Sequence, residues 1–239
     1  LLMIYGGSSI SESTLRNAID VFGCAFLQQY GLTESNAVVN LTPSDHVAAL
    51  ESRPEQLLAA GRPLPGCAVR VVGPDGEVVP AGVSGEILLR GPQLMSGYWH
   101  NESATASALR DGWLWTGDAG YLDEWGYLHV RDRIKDMIVT GGENVYSREV
   151  EDVLFAHPGL VDAAVIGVPD DRWGEAVKAF VVARQGVEID PAEVIDFCRQ
   201  RLAGFKCPKS VELLPSLPRN PSGKVLKREL RTLPSNVVS

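Results

Sequence analysis

Four loops in this sequence carry side chains of the kind that act on phosphate or nucleotide. The segment "NPSGK" sets Lys224 behind an Asn-Pro-Ser-Gly turn. A compact ammonium on such a mount stabilises negative charge as it develops in phosphoryl or nucleotidyl transfer. "YGLTES" places the Thr33 hydroxyl beside the Glu34 carboxylate just past a predicted strand. The pair suits an α-phosphate contact and a Mg2+ contact, since Mg2+ takes one or two carboxylates together with substrate phosphates. Asp118 follows Thr-Gly in "WTGDAG", where its two oxygens can accept from both hydroxyls of a ribose and the glycines admit a ligand close to the backbone. "DRIKDMIVTGGEN" sits where the composition changes and reads as a hinge between domains. Each motif alone has a plainer counterpart: a solubilising loop lysine, a solvated turn with a helix cap, a hairpin aspartate on turn amides, an exposed strand of alternating charge.

The surrounding pattern supplies elements to position these loops. "LLMIY" reads as a buried strand and "SESTLRNAIDVFG" as a helix with Leu15, Ile19 and Phe22 on one face, stopped by Gly23. "AFLQQY" reads as a second strand running into "GLTES". Strand, helix, strand is the α/β arrangement in which ligands lie beyond the carboxyl ends of the strands. From Cys67 to Val130 short β segments alternate with the turns Asp75-Gly76, Asp111-Gly112 and Trp125-Gly126, predicting a small antiparallel sheet or distorted barrel. From about Asp132 a third texture begins. "SREVEDVLFAHPG" predicts a helix with Val150, Val153 and Leu154 inward, "LVDAAVIGV" and "AVKAFVVAR" predict strands, and "DPAEVIDFCRQRL" predicts a helix capped by Asp190, with Pro191 at its first position and Glu193 where a capping-box residue stands. The expected organisation is an α/β portion with a barrel-like sheet over residues 1–132, then a small α+β domain over 133–239.

Composition narrows the partners. A net charge of −8 over 239 residues argues against a nucleic-acid footprint, which needs clustered Lys and Arg. The four cysteines have no CxxC pair and no histidine at metal-ligand spacing, so neither a zinc site nor a disulfide framework is indicated and a reducing cytoplasm is the simplest home. No apolar run has the length of a membrane span.

Taken in order, "YGGSSI", "YGLTES", "GEILLRGPQLMSGYW", "WTGDAGYLDEWGYL", "DRIKDMIVTGGENVYSREVE", "GVPDDRWGEAVKAFVV" and "NPSGKVLKREL" resemble motifs of the adenylate-forming acyl-CoA synthetase superfamily, in that family's order and spacing, over nearly the whole chain. The resemblance implies two steps: a carboxylate attacks the α-phosphate of ATP to give an acyl-adenylate and pyrophosphate, and the thiol of coenzyme A then displaces AMP. It implies that Gly6, Gly7 and Ser8 line the adenine pocket with Tyr30, that Thr33 touches the α-phosphate and that Glu34 holds Mg2+. Asp118 binds the ribose hydroxyls with help from Arg133, and Lys135 is the hinge. Lys224 bridges the attacking carboxylate and the α-phosphate. Gly141 and Gly142 flank the pantetheine channel, with Trp173 nearby.

The sequence departs from the family at the adenine loop, "GGSSI", and at Ser147, where Pro is common. It also has no counterpart of the upstream Ser/Thr/Gly-rich loop whose lysine grips the β- and γ-phosphates. Roughly the first half of a complete synthetase, with most of the acyl pocket, is therefore expected to lie outside this sequence. The expected substrate is a fatty or aryl carboxylic acid. The alternatives are a non-catalytic module, associating with the other half or with itself, and an acyl-AMP ligase delivering to a carrier-protein thiol.

Overall fold

A computed structural model describes residues 1–7, 10–221 and 223–233. The chain is α/β and divides into two compact units, Leu1–Ile134 and Lys135–Ser239.

The first unit opens with β1 (Leu2–Gly6), α1 (Glu12–Phe22), β2 (Ala25–Leu32), β3 (Asn36–Leu41), α2 (Pro43–Ser52) and the short β4 (Arg62–Pro63). These strands form one sheet in the order β1-β2-β3-β4, with β1 and β2 parallel and joined through α1. Ser11 caps α1 by accepting from the Thr14 amide, and Gly23, with φ of 55°, ends it. Leu15 is fully buried with Phe26, Ala49 and Leu57, whereas Phe22, expected on the same face, is exposed at the last turn. β1 likewise is only half-buried: Met3 and Tyr5 pack inward while Leu2 and Ile4 face outward. The period of 2 in a strand puts alternate residues on opposite faces, so an all-apolar run does not by itself specify burial.

The second sheet of this unit is antiparallel. β5 (Ala68–Val72), β6 (Gly85–Arg90), β8 (Trp113–Leu122) and β7 (Leu109–Arg110) follow one another, and β9 (Leu128–Arg133) pairs with β8; α3 (Glu102–Ala108) precedes β7. Ile87, Leu89, Leu114 and Leu128 from this sheet pack with Val38 and Val39 of the first. Burial of each such aliphatic side chain contributes about 1.5–3 kcal/mol relative to exposure. That shared core fixes the two sheets against one another.

The second unit contains β10 (Ile138–Thr140), β11 (Glu143–Val145), α4 (Ser147–Phe155), β12 (Leu160–Asp170), β13 (Gly174–Ala183), α5 (Pro191–Arg199), β14 (Ser210–Leu213) and α6 (Lys227–Leu230). Its sheet runs β11-β10-β13-β12, with β14 parallel to β13. Val150 and Leu154 of α4 and Val194 and Cys198 of α5 cover one face of the sheet, while Leu217 and Leu230 meet Ile166 and Phe180 on another cluster. Asp190 caps α5 through the Ala192 amide.

Candidate nucleotide and thiol-transfer site

The glycines after β1 are explained by the parallel ladder. Gly6 lies opposite Gln29, and a Cβ there would stand 2.3 Å from the Gln29 carbonyl oxygen, so only glycine permits this approach. Gly6 and Gly7 border a groove of about 290 Å³ with Ile4, Tyr5, Gln29, Gly31, Leu32, Asn36 and Ala37. Ser8 lies outside the described residues.

Thr33, Glu34 and Ser35 form the tip of the β2–β3 hairpin, between the paired Leu32 and Asn36. They cap no helix. Ser35 is buried and holds the tip: its hydroxyl accepts from the Leu32 amide at 3.0 Å and donates to the Asn36 carbonyl at 2.9 Å. Thr33 is left exposed. Glu34 is tied to a distant loop through two contacts, the Met95 amide on its carbonyl at 2.7 Å and the Tyr98 hydroxyl on its Oε1 at 2.8 Å. That hydrogen bond pushes the Tyr98 hydroxyl above its ordinary value. Among the described residues no three His, Cys, Asp or Glu side chains converge as a metal centre. Glu34 brings one carboxylate to the hairpin tip, and since Mg2+ takes one or two carboxylates completed by phosphate and water oxygens, the side chain present fits such an ion.

Tyr30 lies on β2 where the β2–β3 register is irregular, between Tyr30 and Gly31. Its hydroxyl donates to Asp118 Oδ2 at 2.8 Å. Asp118 sits directly across the β8–β9 ladder from Arg133, and the Arg133 Nε lies 2.7 Å from Oδ1. The Asp118 amide donates to the Thr116 hydroxyl at 3.0 Å, which in turn donates to the Ile87 carbonyl at 2.7 Å. Asp118 is only 5% exposed. Burial, and then the neighbouring carboxylate, push the Tyr30 hydroxyl well above the ordinary phenol value, so it stays a donor. Three of the expected residues are thus brought together: Tyr30, Asp118 and Arg133.

In the second unit Gly141 and Gly142 make the two-residue turn between β10 and β11, with φ of 60° and 85°. Both central positions at positive φ are what a type I′ hairpin requires. The Gly141 amide donates to the Trp173 carbonyl at 2.9 Å, and a Cβ on Gly141 would stand 2.9 Å from the Trp173 ring, whereas one on Gly142 would meet nothing within 4 Å. Gly141 and Trp173 are therefore in contact, with the Arg172 guanidinium 4.6 Å from the Trp173 ring centre. Lys135 is the first residue of this unit.

Lys224 ends a small hairpin. Asn220 and Lys224 exchange bonds, the Lys224 amide to Asn220 Oδ1 and the Asn220 amide to the Lys224 carbonyl, each at 2.9 Å. Arg219 anchors the loop through the Gly223 carbonyl and Asp162. The Lys224 side chain is exposed and forms no ion pair among the described residues. Lys227, three residues on, is the opposite case: its Nζ lies 2.8 Å from Glu151 Oε1 and donates to the Ser147 hydroxyl. Ser147 is 0% exposed, so this departure from the common Pro provides a buried acceptor for Lys227.

Sequence reasoning passed over Tyr98, Thr116, Lys227 and Glu151. Tyr98 stands 64 residues from Glu34 and Lys227 stands 80 from Ser147. No local pattern signals such partners.

Comparison with known proteins identifies the family of the chain. The model of the AMP-binding enzyme family matches residues 1–99, and that of the AMP-binding enzyme C-terminal domain matches 149–224. A fatty acid–[acyl-carrier-protein] ligase, ScoC, of Streptomyces coeruleorubidus is 49% identical over 229 residues, covering 95% of this chain and 43% of the relative. A feruloyl-CoA synthase of an Amycolatopsis species is 47% identical, covering 96% of this chain and 45% of the relative. Among solved structures, o-succinylbenzoate CoA synthetase of Bacillus subtilis, in complex with its acyl-adenylate intermediate, matches with a TM-score of 0.86 at 37% identity, covering 98% of this chain and 46% of that one. The chain spans less than half the length of the relatives it matches.

Proposed function

We propose that this chain, which belongs to the AMP-binding family of adenylate-forming enzymes, serves as the C-terminal half of an ATP-dependent carboxylate–CoA ligase. In the reaction a carboxylate oxygen attacks the α-phosphorus of ATP, the α–β phosphoanhydride bond breaks, and pyrophosphate leaves. The coenzyme A thiol then attacks the acyl carbon of the adenylate, losing its proton as AMP departs. The observation that carries the reading is the buried Asp118 carboxylate, gripped by Tyr30 on one oxygen and Arg133 on the other. A planar acceptor held in this way suits the vicinal hydroxyls of a ribose.

In this reading Gly6 and Gly7 border the adenine, with Ser8 beside them, and Thr33 contacts the α-phosphate. Glu34 would hold Mg2+, which supplies charge neutralisation on the phosphates when bound. The exposed Lys224, with no ion pair among the described residues, supplies a cation where the attacking carboxylate and the α-phosphate crowd negative charge together. Gly141, Gly142 and Trp173 form the wall along which pantetheine passes. Lys135, at the boundary of the compact units, is the hinge about which the small unit turns between steps. Lys135→Pro then spares adenylation and blocks thioester formation. The free cysteines suit a reducing, cytoplasmic setting.

The substrate is a fatty or aryl acid, the classes named in the ligase and feruloyl relatives. The 49% identity to an acyl-carrier-protein ligase also favours a second acceptor, a carrier-protein pantetheine thiol. The test is to give the full-length protein Mg-ATP and a panel of fatty and aryl acids, with coenzyme A or a pantetheinylated carrier. AMP and acyl-CoA in equal amounts support the ligase reading, acyl-carrier product alone supports the second, and no AMP with any acid overturns both.

A further inference from the structure

The Glu34 carboxylate is held by a neutral donor. Its side-chain partner among the described residues is the Tyr98 hydroxyl, at 2.8 Å on Oε1, and no ion pair among them involves Glu34. A cation beside a carboxylate cancels the charge that would attract a metal ion. A phenol hydroxyl fixes the direction of the carboxylate and leaves that charge in place. Tyr98 is itself braced. Its amide donates to Thr105 Oγ1 at 2.8 Å, that hydroxyl donates to the Asn101 carbonyl at 2.9 Å, and Asn101 caps α3 through the Ala104 amide. A Cβ on Gly97 would stand 2.9 Å from Thr105 Cγ2, so glycine lets the segment lie against α3. The same segment holds the hairpin by its backbone, with the Met95 amide on the Glu34 carbonyl at 2.7 Å and Gln93 Nε2 on the Ala37 carbonyl at 3.0 Å. Glu34 is thus gripped at both main chain and side chain, between Leu32 and Asn36, which border the Gly6–Gly7 groove.

We propose that Tyr98 is a positioning residue that orients the Glu34 carboxylate without neutralising it, for a divalent cation carried on the phosphates of ATP. An untethered glutamate gives up rotamer freedom when it meets an ion, and that loss subtracts from affinity. The Tyr98 bond removes the freedom in advance. Tyr98 therefore governs how tightly the metal–triphosphate form binds and has no part in holding AMP. The inference rests on the reading of Glu34 as the Mg2+ carboxylate.

The experiment is calorimetric titration of the full-length protein with α,β-methylene-ATP in magnesium chloride and with AMP in EDTA. The proteins are wild type, Tyr98→Phe, Glu34→Gln and the double variant. The methylene bridge replaces the anhydride oxygen at the bond that breaks, so no turnover intervenes. Tyr98→Phe keeps the ring, and its unfolding midpoint is measured alongside. The expected result for Tyr98→Phe is a loss of about three- to ten-fold in affinity for the magnesium triphosphate, the cost of ordering one side chain on binding, with AMP affinity unchanged within about two-fold. Glu34→Gln loses at least as much, and Tyr98→Phe adds nothing in that background. Where Glu34→Gln weakens the magnesium complex, three results overturn the inference and leave the Glu34 reading intact: Tyr98→Phe with wild-type affinity for that complex, Tyr98→Phe weakened equally for both ligands, or a double variant weaker than Glu34→Gln alone. A Glu34→Gln protein that binds the magnesium complex as wild type does, or a wild type that binds neither ligand, overturns the Glu34 reading and the inference with it.

Discussion

Asp118 in the first unit and Lys224 in the second carry opposite charges, and the fold treats them in opposite ways. Asp118 is buried, faces a cross-strand arginine and takes a tyrosine hydroxyl from another sheet. Lys224 is exposed, and its backbone is pinned by Asn220 while its ammonium has no ion-pair partner among the described residues. The difference follows from what each group is proposed to meet. A ribose presents the same two hydroxyls throughout the reaction, so an acceptor for it gains from being locked in advance. The charge that Lys224 addresses builds up only in the transition state, and a cation already paired in the resting protein would have to break that pair first. Lys227, three residues on at the start of α6, shows what a paired lysine looks like, with Glu151 and Ser147 around its ammonium.

The largest expected effect breaks this contrast at the lysines. Lys224→Ala lowers the rate of adenylate formation by about 10²–10³, the usual cost of losing one preorganised donor, yet leaves the unfolding midpoint unchanged in a denaturant titration. Lys227→Met does the reverse to stability. It leaves Glu151, whose side chain is 11% exposed, with the Val165 amide but without its cation, and costs about 3 kcal/mol. A Lys227→Met protein as stable as wild type would remove Lys227 as a tie between α6 and α4.

Smaller effects sharpen the contrast within each unit. Gly141→Ala must push the new methyl against Trp173 at a φ of 60°, costing about 1–3 kcal/mol for a strained backbone. Gly142→Ala meets open space and bears only the cost of the left-handed conformation, about 1–2 kcal/mol. Urea unfolding of the two variants therefore ranks Gly141→Ala as the more damaging.

The smallest effect is on pH dependence. His46 in the first unit is buried, with its Nδ1 2.8 Å from the Thr42 carbonyl and its Nε2 2.9 Å from the Tyr5 hydroxyl. A carbonyl only accepts, so Nδ1 carries the proton of a neutral ring. Burial lowers its pKa from the usual 6.5. The unfolded chain consequently takes up a proton first as pH falls through about 6.5, where the folded form resists it, and stability declines with acidification from there. His46→Gln should flatten the dependence of the unfolding midpoint on pH between about 6.5 and the lower folded value; an unchanged slope would place the sensitivity elsewhere.

Much of this was legible in the residues. The helical spacing in "SESTLRNAIDVFG", the Asp-Gly turns and the capped helix at Asp190 announced elements that the fold contains, because local turn and cap chemistry decides them. The spacing of "GDAG" and "DRIK" did not say that Asp118 and Arg133 would be ladder partners; the register of β8 on β9 decides that. Nor did the sequence announce that Leu2 and Ile4 would face outward or that Thr33, Glu34 and Ser35 would tip a hairpin. The Tyr30–Asp118, Tyr98–Glu34 and Lys227–Glu151 contacts depend on the packing of segments far apart in the chain. Side-chain type gives a candidate, and tertiary packing chooses its partner.

The measurement that bears most directly on the account separates the half-reactions in full-length Lys224→Ala protein. Adenylate formation is followed by pyrophosphate release, and thioester formation by acyl-CoA produced from supplied acyl-AMP. A loss of about 10²–10³ is expected in the first, with the second close to wild type. Equal losses in both, or no loss in the first, would contradict the role of Lys224 as the cation of the adenylation step.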